Sequence, residues 1–348
     1  MTAHSVTFEP VSFADLPGWA GDDHLAAFGA YCATARGVPG AAALAGRASI
    51  TTAADARAFF EAQLEPSRVV YFGTERAGPS GLLTGYYEPV LDGSLECMAP
   101  FTVPILRRPV DLENVVSESE RSAKSEGYSH MRRTARGLEP YATREEIERG
   151  ALAGRGLELL YLADPVEAFF LHVQGSGAIR LRDGRLQRIT YDGKNGHPYT
   201  SIGRTLIEDG SLPADTLTLQ VLGDWLRADP ERGRKVLWRN ASFVFFRLLE
   251  GDAPIGVLGA PLTTGRSLAV DPAYHELGSP IYVSAPSLTH AGASGGFHRL
   301  MIAQDVGSAI KGPERGDIYF GTGEAALAMA GITKHPGRFF VLRPRGAS

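Results

Sequence analysis

The apolar residues of this chain come in short runs, each cut off by glycine or proline, and that punctuation most limits what it can fold into. Of 348 residues, 41 are Gly and 22 are Pro. Short runs rich in Val, Ile, Phe and Tyr between turn-formers read as strands rather than helices. The expected strands are 67–73, 82–91, 102–108, 157–163, 169–182, 242–249, 267–271, 281–285, 299–305, 317–321 and 338–344. Asp183-Gly184 between "AIRLR" and "RLQRITY" marks a hairpin.

Helical spacing is confined to fewer places. "HLAAFGAYCATA" (24–35) and "ADARAFFEAQL" (54–64) carry apolar residues at three- and four-residue intervals. Thr143 and Glu146 have capping-box spacing. Residues 217–238 read as two helices split at Asp229-Pro230, and 323–331 as a short helix closed by Gly331. The fold class that follows is mainly β with few helices. Shifts in composition place boundaries near 100–110 and 240, and the charged stretch 107–155 reads as a solvated connection.

Several function classes are disfavoured by composition. A formal charge of −4 without a basic stripe gives nucleic acid and anionic membrane no electrostatic footprint. No window of about 20 apolar residues is present, so no transmembrane helix is expected. The start, "MTAHSVTFEPVSF", lacks the charged and apolar regions of an export signal. Cys32 and Cys97 lie in no CxxC motif and read as a bridge or, more simply, two buried thiols. The scattered histidines form neither HExxH nor a Cys/His cluster, and "DGKNG" (192–196) lacks the acids of a calcium loop, so neither metal nor cofactor is expected. No GxSxG elbow exists, and "QGSG" (174–177) is a bulged strand or hairpin at least as readily as a ligand contact.

Carboxylates remain. Two-residue alternation in "DIYFG" puts Asp317, Tyr319 and Gly321 on one face, with Ile318 and Phe320 on the other. The same counting puts Met301, Ala303 and Asp305 on one face of "RLMIAQD", and Asp271 closes a third β-run. An acid at a strand end is also what an ordinary turn would show. Aromatics and amides recur beside these acids in "GYYEP" (85–89), "HVQGSG" (172–177) and "NASFVFF" (240–246), the residue types that stack on sugar faces and bond hydroxyls.

In order along the chain stand "GYYEP", "HVQGSG", "YDGKNGHPYTSIGR", "NASFVFF", "RSLAVDP", "AQDVGSAIKG", "RGDIYFGTG" and "GRFFVLRP". Together they resemble the membrane-bound lytic murein transglycosylase A family, with its C-terminal three-aspartate domain. The motifs cover about residues 82–344, and the first eighty residues carry little that is diagnostic. The resemblance implies a double-psi β-barrel built from both chain ends, residues 1–100 and 243–348, with N-terminal helices. An inserted β-rich domain, residues 101–242, would form the other wall of a glycan groove.

The implied reaction cleaves the β-1,4 bond between N-acetylmuramic acid and N-acetylglucosamine in peptidoglycan and leaves 1,6-anhydromuramic acid ends. The family's catalytic acid falls on Asp317, and its other two aspartates match Asp305 and Asp271. Ser308 stands where the family commonly has glycine. Motif position and chemistry nominate Tyr86, Tyr87, Glu88, Gln174, Ser176, Asn240, Ser242 and Tyr319 as substrate-binding residues. Asp317 would have to hold its proton near neutral pH, through partial burial and a nearby ionised Asp305, and Lys311 should not pair with it. The partners implied are glycan strands and other cell-wall enzymes, in the periplasm with association to the outer membrane. Family members are lipoproteins, whereas no cysteine lies near this start, so the anchor is expected to be missing or cut off. The rival readings are an inverting glycoside hydrolase using Asp317 and Asp305, a noncatalytic glycan-binding barrel, and, last, an aspartic protease.

Overall fold

The computed structural model describes residues 6–35, 50–71, 81–115, 128–251, 253–292, 295–307 and 309–346. Ser308, and the 72–73 end of the first expected strand, lie outside the described residues. The chain is mainly β and divides into two units. One comprises residues 1–87, 255–321 and 325–348, and the other 88–254 and 322–324. Sequence reading had set the exchange points at 100/101 and 242/243.

The first unit is a closed barrel. Its strands, in hydrogen-bonded order, are Lys334–Pro344, Pro280–Ala285, Phe297–Val306, Ser267–Val270, Arg315–Thr322 and Gly81–Glu88, and the last pairs back onto the first. Strands Ser267–Val270 and Phe297–Val306 run parallel. This is the double-psi β-barrel, built from both ends of the chain. Closure removes exposed sheet edges.

Alternation fills two cores at once. Leu83, Leu268, Val270, Ile281, Val283, Met301, Ala303, Ile318, Phe320 and Phe339 form one buried cluster drawn from all six strands. The intervening Tyr282, Leu300, Ile302, Phe340 and Leu342 pack instead against the helices His24–Ala35 and Ala53–Gln63. Asp22 ties the N-terminal segment down. Its carboxylate takes two bonds from Arg266, at 2.8 and 2.9 Å, and one from the Leu300 amide at 2.7 Å.

In the second unit a six-stranded sheet has the order Val244–Leu249, Leu186–Lys194, Ser176–Arg180, Val90–Ser94, Glu158–Leu162 and Val103–Leu106. The hairpin at Asp183-Gly184 is present, with Gly184 at φ 83°. The stretch 169–182, expected as one strand, is instead the end of a helix, Pro165–Gln174, followed by the strand Ser176–Arg180. Asp164 caps that helix through the Val166 amide, Pro165 starts it, and Gly175 ends it at φ 78°. Val166 and Phe169 are buried in one core cluster and Ala168 and Leu171 in another, each pair at three-residue spacing, so helical spacing won over a run that also reads as strand. "QGSG" is therefore a helix stop, not a bulged strand or hairpin.

Other expectations shift in detail. Helix Glu324–Ile332 runs through Gly331 rather than stopping there, and helix Ile202–Glu208 was not anticipated. The charged stretch 107–155 contains a small sheet of Leu112–Asn114, His130–Thr134 and Gly137–Glu139 rather than a bare connection. Both cysteines are free thiols, and Cys97 is exposed rather than buried.

Candidate active site

Register brings two of the three nominated aspartates onto one row. Ala269 pairs with Asp317 on its antiparallel neighbour and with Asp305 on its parallel neighbour. Two strand spacings put the aspartate backbones about 10 Å apart, with only an alanine side chain between them. Simple alternation would have continued the Met301–Ala303 face to Asp305. A bulge intervenes, because Leu268 opposes Ala303 while Ala269 opposes Asp305, leaving Gln304 as the extra residue. Gln304 is fully buried and bonds Ser267 and Thr34, which anchors the bulge.

Asp317 sits mid-strand in Arg315–Thr322 and is half-buried. The Thr84 hydroxyl donates to its Oδ1. Arg315 in turn donates through Nη2 to the Thr84 oxygen at 2.8 Å. Burial raises the Asp317 pKa above the ordinary carboxylate range, and the Thr84 bond and the Arg315 charge oppose it. The cation near Asp317 is thus Arg315, while Lys311 is exposed.

Asp305 receives the Tyr86 hydroxyl at 3.1 Å and the Val306 amide at 2.9 Å. Burial pushes its pKa up to about 6, partly offset by those bonds, with the charge of Asp317 adding to the rise. The Tyr86 ring lies 5.3 Å from that of Tyr319, which is itself buried. Tyr86 is pushed well above the usual phenol value by burial and by Asp305.

Asp271 has different work. It is buried and accepts from the amides of Ala273 at 3.2 Å and Gly312 at 2.9 Å. His275, in the same turn, bonds the Pro313 carbonyl at 2.7 Å. Together they fix the turn that leads into the Asp317 strand.

The remaining nominated residues divide by their contacts. Tyr87 lies on the other face of its strand from Tyr86 and packs against the barrel core. Glu88 is buried, with Thr322 donating to it at 2.8 Å and Arg188 3.3 Å away, and burial raises its pKa. Asn240 is buried and caps the amides of Thr200 and Ser242. Ser242, also buried, gives its carbonyl to the enclosed Arg144 at 2.8 Å. Gln174 and Ser176 flank the Gly175 helix stop and are half-buried.

Sequence reasoning missed Thr84 and Arg315. The signal was present: counting back by two from Tyr86 reaches Thr84, and from Asp317 reaches Arg315. Among the described residues no group of three or more His, Cys, Asp or Glu side chains is placed to hold a metal ion.

Comparison with known proteins bears on this arrangement. Residues 82–247 match the MltA specific insert domain, and residues 266–343 match the 3D domain. Over 289 residues the chain is 33% identical to a membrane-bound lytic murein transglycosylase A of Vibrio cholerae, covering 80% of this chain and 71% of that one. The crystal structure of a membrane-bound lytic murein transglycosylase from Agrobacterium tumefaciens superposes with a TM-score of 0.87 at 36% identity, over 97% of this chain and 98% of the other. E. coli MltA with bound chitohexaose gives a TM-score of 0.72 at 28% identity, over 99% and 95%. The chain therefore belongs to the membrane-bound lytic murein transglycosylase A family.

Proposed function

We propose that Asp317 alone serves as acid and then as base in cleaving the β-1,4 bond between N-acetylmuramic acid and N-acetylglucosamine. Membership of the family makes the chain a lytic transglycosylase of peptidoglycan. Protonated Asp317 gives its proton to the glycosidic oxygen as the C1–O bond breaks and its electron pair leaves with that oxygen. The sugar's own 6-hydroxyl attacks C1 and returns a proton to the carboxylate, so a 1,6-anhydro ring forms and no water is consumed. An ordinary glycosidase needs a second carboxyl to handle water or a covalent intermediate. Intramolecular attack replaces that group with effective molarity.

The observation that carries this reading is the setting of Asp317: a half-buried carboxyl whose proton affinity is raised by burial, on the strand face opposite the core residues Ile318 and Phe320. Asp305 on the same row then orients and tunes, and Asp271 holds the preceding turn. Tyr86, Tyr319, Gln174 and Ser176 remain the candidates for sugar contact. The same reading puts the enzyme in the periplasm, associated with the outer membrane. Among the described residues no helix is long and apolar enough to cross a membrane.

One feature favours a second reading. Asp305, with a pKa of about 6, is poised to act as base toward water in an inverting hydrolysis. Digestion of purified murein in heavy-oxygen water, followed by mass analysis, separates the two. Anhydro-muropeptides without label support the lyase; label at a reducing end gives the reaction to water and Asp305. Asp317→Asn should still sediment with murein while releasing no soluble fragments, and normal release by that variant would remove Asp317 from its role.

A further inference from the structure

We propose that Arg315 and Thr84 form a directional lock that fixes which oxygen of Asp317 carries the catalytic proton. The inference rests on Asp317 being the acid. A threonine hydroxyl has one hydrogen and can point it either way, whereas an arginine guanidinium only donates. Arg315 Nη2 occupies the Thr84 oxygen at 2.8 Å, so the Thr84 hydrogen is left for Asp317 Oδ1. The guanidinium is itself held from its other nitrogen, Nη1, by the Gly316 carbonyl at 2.5 Å and the Leu82 carbonyl at 3.5 Å. It therefore bridges the two strands that carry Thr84 and Asp317 and does not turn freely.

In the neutral acid the carbonyl oxygen is the better acceptor. With Oδ1 receiving Thr84, the acidic hydrogen sits on Oδ2, aimed away from the lock. After the proton is given up, the same donated bond stabilises the carboxylate. That bond pulls the Asp317 pKa down against the rise from burial, and so keeps the acid from holding its proton too tightly. Among the described residues, the other ionisable groups on this face are Asp305 and Tyr86, which bond each other, and Tyr319, whose ring meets Tyr86. None of them intervenes in the Arg315–Thr84–Asp317 chain of bonds. Thr84 and Arg315 are positioning residues, acting through Asp317.

The test is the pH profile of kcat/KM on soluble glycan fragments for wild type, Thr84→Ala, Thr84→Ser and Arg315→Gln, with Asp317→Asn as control. If the protonated acid starts the reaction, its pKa sets the alkaline limb. Thr84→Ala and Arg315→Gln should move that limb to higher pH by half a unit or more, with kcat falling about tenfold in the first. Thr84→Ser, which keeps the hydroxyl, should restore both limb and rate. Loss of rate in Thr84→Ala at every pH with an unmoved limb, in a variant whose thermal unfolding matches wild type, overturns the lock. So does failure of the serine to rescue. An active Asp317→Asn variant would instead overturn the catalytic assignment beneath it, so the two failures are told apart.

Discussion

The Tyr86 hydroxyl donates to Asp305 at 3.1 Å, joining strand Gly81–Glu88 to the bulged strand Phe297–Val306 from opposite parts of the chain. That bond favours the ionised form of Asp305, while burial opposes it. Tyr86→Phe should therefore raise the Asp305 pKa above about 6, by about one unit for the loss of a bond to a charged acceptor. Carboxyl chemical shifts followed through a pH titration read this directly. An unmoved or lowered midpoint would mean that Tyr86 does not hold the ionised form.

The raised pKa of Asp305 also has a stability consequence. Its folded-state value lies above its unfolded one, so the contribution is present in full below pH 3.8 and is lost as pH rises through about 6. Asp305→Asn keeps an acceptor for Tyr86 but never ionises. The variant should gain stability relative to wild type between pH 4 and pH 8, by up to about 3 kcal/mol. Denaturant melts of both proteins at the two pH values measure the difference, and a variant that loses ground at pH 8 would contradict the sign.

Gly85 sits between Thr84 and Tyr86, whose side chains face the two aspartates. A Cβ there would drive into the Phe320 ring and stand 2.9 Å from the Ala330 Cα. Backbone cannot yield as a flexible side chain does. Gly85→Ala should cost about 1–3 kcal/mol by overpacking, and should lower kcat more than it weakens murein binding. A thermal melt with parallel turnover assays checks both; unchanged stability would mean that the helix Glu324–Ile332 gives way easily.

Much of the barrel was legible because its strands alternate. In "IYVSA" Ile281, Val283 and Ala285 enter the barrel core while Tyr282 meets the helices, and in "RFFVLRP" Phe339 does the first while Phe340 and Leu342 do the second, so both faces carry apolar residues and the runs stand out between turns. The reading failed where two periods coincide, as in 169–182, where capping by Asp164 and Gly175 decided for helix. It also failed at Gln304, since a bulge moves every later side chain to the other face and leaves no mark in the residue pattern. Asp317 and Asp305 were found as acids at strand ends, but their common neighbour Ala269 is a matter of register between distant strands. Asn240 and Ser242 look like sugar-binding side chains by type. In the fold Asn240 Oδ1 accepts from the Thr200 and Ser242 amides and the Ser242 carbonyl accepts from Arg144, structural uses that a motif alone does not reveal.

Barrel closure has a consequence for biosynthesis. The Gly81–Glu88 strand emerges from the ribosome early, yet one of its partners, Lys334–Pro344, is made near the far end. Until that partner arrives, the Gly81–Glu88 strand has only the Asp317 strand, Arg315–Thr322, beside it, and its other edge stays unpaired. Pairings this remote in sequence form slowly, so closure of the barrel is a late step of folding.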